Sequence, residues 1–173
     1  MTAPHTSSSA TRFPVAVDAA LRGAGWRPGR WEIRDAEMWA DTLRAHTSPA
    51  GHRHVVFPAA VEAWAEFGGL QITPGGPGRD VAPSGLHIDP LHGLYAARTL
   101  AALGRALESE VAPLGAEVPP DGDPDDAAGL LVLDADGRVY CLDPLGDWYL
   151  GGNVDAALTT LITGLPPARL TAA

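Results

Sequence analysis

The chain of 173 residues contains no lysine; all twelve of its basic residues are arginine. Beside the abundance of alanine, glycine and proline, that absence points to a GC-rich coding bias rather than a functional choice. There is one cysteine, Cys141. This excludes an internal disulfide and a cysteine-based zinc knuckle, and it fits a reducing cytoplasm. No apolar run approaches the roughly 18 residues of a membrane span. The first eleven residues are rich in serine and threonine and lack an apolar core. Residues 1–12 are therefore expected to form a disordered tail rather than a secretory signal. With acids in excess, the net charge is −9, which argues against nucleic-acid binding through a basic surface.

What the chain does have is acid, and it is unevenly placed. Between Glu108 and Asp147 there are eleven acidic residues and only Arg138. That stretch carries the whole imbalance. Two readings stand: solvated loops, or a surface that meets a basic partner. On the second reading the partner-binding candidates are Asp121, Asp123, Asp125 and Asp126 in one loop, with Asp143 and Asp147 between the last strands.

Hydrophobic periodicity predicts helices over 13–24, 36–45, 58–67, 94–107 and 154–163. Asp35 is expected to cap the second and Asn153 the last, while Pro58 suits the first position of the third. Short strands are expected at 70–73, 86–89, 111–117, 130–135, 138–142 and 148–150. The segment Leu130 to Leu142 reads as a β-hairpin around a two-residue turn at Asp136-Gly137, pairing Leu133 with Tyr140 and Leu131 with Leu142. Its first strand is apolar on both faces and so belongs inside the sheet. The fold class is α+β, with a twisted, mainly antiparallel sheet of about six short strands flanked by about five helices. One domain is expected over 13–164, followed by a frayed tail at 165–173.

No catalytic set emerges. His52 and His54 lie in a loop at i, i+2, without the helical i, i+4 spacing of stronger zinc motifs. His87 and His92 flank the Asp89-Pro90 turn. The Asp121–Asp126 run lacks the glycine and glutamate that a calcium loop requires. The glycines at 75, 76 and 78 are not followed by the lysine of a phosphate loop. Cys141 falls in mid-strand, as a small core residue would. Hence no catalytic residue, metal or cofactor is expected. Tryptophans 39 and 64 lie on apolar helical stripes and are read as core; the turn from Trp26 to Trp31 is a further partner candidate.

One set of short motifs stands in a recognisable order. It comprises Gly25-Trp-Arg-Pro-Gly-Arg30, Trp64-Ala-Glu-Phe-Gly-Gly-Leu70, His87-Ile-Asp-Pro90 and Pro113-Leu-Gly115. It continues with Gly137-Arg-Val-Tyr140, Trp148-Tyr-Leu-Gly151 and Asp155-Ala-Ala-Leu158. Together they resemble the SUKH superfamily (the SMI1/KNR4-like group), and within it the SUKH-3 immunity proteins. The resemblance spans roughly 13–164, and the acidic loop at 118–126 matches no family motif. It implies a cytoplasmic protein that binds and neutralises a bacterial toxin, such as a nuclease or a nucleic-acid deaminase, without catalysis. No nucleic-acid or membrane partner is implied. The alternative is a non-catalytic adaptor or regulatory scaffold, a role the superfamily also implies.

Overall fold

The structure is a computed structural model that describes residues 11–120 and 123–170. Five helices are described: α1 (Val15–Gly23), α2 (Ile33–Ala45), α3 (Pro58–Phe67), α4 (Ala97–Leu107) and α5 (Val154–Thr163). The strands are β1 (Gln71–Ile72), β2 (Gly85–His87), β3 (Val111–Val118), β4 (Gly129–Asp134), β5 (Val139–Asp143), β6 (Gly146–Gly151) and β7 (Ala168–Arg169). They form one seven-stranded sheet in chain order, each neighbour antiparallel. This is the α+β fold expected from the sequence.

The sheet separates two apolar cores. On one face Leu131, Leu133, Val139, Cys141 and Leu150 pack with residues of α1, α2, α3 and α5. On the other face Val132 and Tyr140 pack with Leu100 and Leu103 of α4. β4 lies at the centre of the sheet and contributes to both cores, which is why it is apolar on both faces.

The family-pattern residues are largely architectural. Arg30 donates through Nη1 to the Glu66 carbonyl at 2.6 Å and through Nη2 to the Gly68 carbonyl at 2.9 Å. It thereby satisfies carbonyls that the end of α3 leaves open. Trp64 is fully buried, and its indole N–H donates to the Pro113 carbonyl at 2.9 Å. Pro113 stands where the β3–β4 register shifts, a bulge where a central strand tolerates proline. A side chain at Gly115 would strike the backbone of His87, so glycine allows β2 to lie against β3.

The structure corrects several expectations. The β4–β5 turn has three residues, Ala135 to Gly137, closed by the Asp134 N–H bonding to the Arg138 carbonyl at 2.9 Å. Asp134 decides this. Its Oδ1 accepts from the N–H groups of Asp136 and Arg138 at 3.0 and 2.9 Å. With that local cap only Gly137 needs positive φ, at 86°. The register therefore slips by one from the expected pairing: Leu133 faces Val139 and Leu131 faces Cys141. Helix α2 begins at Ile33, placing Asp35 in its first turn rather than at its cap. The fourth helix, expected from Leu94, begins at Ala97; Leu94 and Tyr95 form a turn that follows a 3₁₀ turn at Pro90–Gly93.

Contacts among the described residues also reach outside 13–164 on both sides. Arg12, assigned to the tail, bonds to Glu66 of α3 and Asp155 of α5; residues 1–10 lie outside the described residues. Within the segment expected to fray, Ala168–Arg169 pair with Tyr149 and Trp148 of β6 as the seventh strand.

Candidate partner-binding surface

The antiparallel order decides which loops meet. Glu117 pairs with Gly129, Leu130 with Leu142, and Asp143 with Gly146. The β3–β4 connection and the β5–β6 turn consequently leave the same end of the sheet. Asp123, Asp125 and Asp126 are exposed in the first of these. Asp123 Oδ1 accepts from the Asp125 N–H at 3.1 Å and caps a single 3₁₀ turn, Pro124–Asp126. Asp121 lies outside the described residues.

The β5–β6 turn is built by its own sequence, Asp143-Pro144-Leu145-Gly146. Aspartate first, proline second and glycine fourth is the preferred order of a type I turn. Asp143 Oδ1 accepts from the N–H groups of Leu145 and Gly146 at 2.7 and 3.0 Å. Asp143 is half-buried and structural in the first instance, whereas Asp147 is exposed. Arg169 of β7 donates to the Leu145 carbonyl at 2.8 Å and stacks over the Trp148 ring, which anchors the turn from the other side.

Beneath these loops lies Glu117, half-buried at the end of β3. It accepts from the Ser84 hydroxyl, and from the Cys141 thiol at 3.3 Å. Burial pushes the Cys141 thiol well above its ordinary range, with Glu117, Asp143 and Asp147 adding to the shift. The cysteine is thereby held as a protonated core thiol, not a nucleophile. Glu117, Cys141, Asp143 and Trp148 line a cleft of about 140 Å³ between the sheet end and α5.

The remaining carboxylates of the acidic stretch lie elsewhere. Glu110 meets the β4–β5 turn at the opposite end of the sheet, where its carbonyl accepts from the Ala135 N–H at 3.0 Å. There Asp134, 0% exposed, accepts from Arg138 Nε at 2.6 Å and from the Tyr140 hydroxyl at 3.3 Å. The stretch from Glu108 to Asp147 thus divides between two ends of the sheet, and only one holds the candidate residues.

Among the described residues, His52, His54, His87 and His92 hold structural positions. His54 is buried, and its Nε2–H donates to the Leu94 carbonyl at 2.7 Å. His52 closes a loop in which its own N–H bonds to Ser48 Oγ at 2.9 Å. His87 Nδ1 and His92 Nε2 are 2.7 Å apart and share one proton. Among the described residues no three His, Cys, Asp or Glu side chains gather as a metal set. Of the tryptophans, Trp26 and Trp64 are core, and Trp31 is 53% exposed.

Sequence reasoning missed Leu145, a large apolar side chain 78% exposed between Asp143 and Asp147. The signal was available: a leucine between proline and glycine in a four-residue turn has no strand in which to hide.

The structure is thus an open antiparallel sheet with helices on both faces. The family model for SUKH-3 immunity protein matches residues 13–164, and the chain belongs to that family. Neither a curated protein nor a solved structure matches it. Toxin immunity is the role that membership carries. No helix among the described residues is long and apolar enough to cross a membrane.

Proposed function

We propose that this chain neutralises one cognate bacterial toxin in the cytoplasm by forming a stoichiometric complex, without turnover, metal or cofactor. The acidic end of the sheet is its contact surface, through Asp121, Asp123, Asp125 and Asp126 and through Asp143 and Asp147. The observation that carries this reading is the convergence of the β3–β4 and β5–β6 loops at one end of the sheet in a family of immunity proteins. A toxin that acts on nucleic acid, a nuclease or a deaminase, needs a basic groove for its substrate. An acidic surface seated in that groove speeds encounter and excludes the substrate.

The test is titration of this protein against its cognate toxin, identified by pull-down from the native host, with toxin activity as the readout. Inhibition complete at one equivalent, and survival of cells that co-express the two, are the expected results. Full toxin activity at several equivalents contradicts the proposal. Inhibition by a small catalytic fraction of an equivalent contradicts its non-enzymatic part.

A further inference from the structure

We infer that Leu145 is the apolar anchor of the acidic end, seated in a hollow on a basic partner protein whose rim carries arginine or lysine. This rests on the functional reading above and adds the residue that holds the complex together once it has formed. Leu145 is 78% exposed, yet it is not on a loose loop. Its N–H is bound by Asp143 at 2.7 Å and its carbonyl by Arg169 at 2.8 Å. The turn is therefore ordered before any partner arrives, and little chain entropy is lost on docking. Val81, 43% exposed, lines the same cleft as Glu117 and Asp143, the residue that binds the Leu145 N–H. Two exposed apolar side chains, a cleft and converging carboxylates at one sheet end have the composition of an apolar contact centre with a charged rim.

Charge selects the occupant. A second copy of this chain would bring the same carboxylates and the same −9 net charge to the contact, and like charges facing one another disfavour such pairing. A basic surface reverses that sign. The carboxylates then steer the encounter, while desolvation of Leu145 slows escape, so the two kinds of residue act on different rate constants.

The experiment measures association and dissociation rates of the full chain with its cognate toxin, identified by pull-down from the native host and catalytically inactivated. Parent, Leu145→Ser and Leu145→Met are compared. All three should unfold at the same temperature, because only backbone atoms of Leu145 hold the turn. Leu145→Ser should dissociate about tenfold or more faster with association nearly unchanged, and Leu145→Met should keep the parent rates. Parent-like dissociation of Leu145→Ser overturns the anchor and leaves toxin binding standing. A parent that does not bind the toxin overturns the functional reading, and the anchor with it. A parent dimer that Leu145→Ser makes monomeric shows that a second copy is the occupant, which also overturns it.

Discussion

Asp134 and Gly137 show how two residues set the geometry of the whole hairpin. The side chain of Asp134 binds the N–H groups of Asp136 and Arg138 across the turn, and Gly137 supplies its one left-handed position. Gly137→Val should lower stability by about 1 kcal/mol or more, since a β-branched residue is strained at φ 86° although a Cβ there meets nothing within 4 Å. Asp134→Ala should lower it by about 2 kcal/mol or more, because a buried, charge-assisted cap is lost. Urea unfolding of both variants checks this; parent-like midpoints would mean that the turn is held by something else. The histidines make a second residue-scale case. Burial lowers His54 and His87 below the ordinary histidine range, and neighbouring His46 and His92 respectively add to it. The folded chain thus binds fewer protons than the unfolded chain, whose histidines titrate near about 6.5. Their stabilising contribution is complete above that pH and is lost as pH falls through it. The urea midpoint should drop between pH 7.5 and 5.5, and less so in His87→Gln; an equal drop in that variant removes His87 from the explanation.

At the scale of elements, the sequence was legible where one local device decided the outcome. Pro58 at the first turn of α3 and Asn153 accepting from Ala156 at 2.8 Å set those helix starts where the residues suggested. The interior place of β4 followed from its two apolar faces. Elements held by distant residues were not legible. The start of α2 is stabilised by the Glu32 N–H bonding to the Ala65 carbonyl at 2.7 Å, a contact that no local pattern announces. The strand β7 exists because β6 offers it an edge, with the Leu170 N–H reaching the Asp147 carbonyl at 2.8 Å. Arg12 is ordered by carboxylates 54 and 143 residues away. It ties α3 to α5, and Arg12→Ala should cost about 1 kcal/mol at most, since its partners are partly exposed and screened. Thermal unfolding at low and high salt checks this, with the difference between parent and variant shrinking as salt rises.

For the molecule as a whole, the candidate site was half legible. The excess of acid was plain in composition, and the shared end of the two loops followed from hairpin order. The same order sets the Asp136-Gly137 turn at the opposite end, but the burial of Asp134 there was not legible, because it rests on Arg138 and Tyr140 closing over the carboxylate. The exposure of Leu145 was legible but missed: between Pro144 and Gly146 it has no strand in which to hide. Electrostatic steering by exposed carboxylates at one end is the central claim, and it acts on encounter rather than on the fold. The most direct measurement is the association rate with the inactivated cognate toxin, taken from low to high ionic strength. The parent is compared with a variant carrying Asp121, Asp123, Asp125 and Asp126 all changed to Asn. The account predicts an association rate about tenfold lower for the variant at low salt, a flatter salt dependence and an unchanged unfolding midpoint. Parent-like association at every salt concentration would contradict it and leave that loop merely solvated.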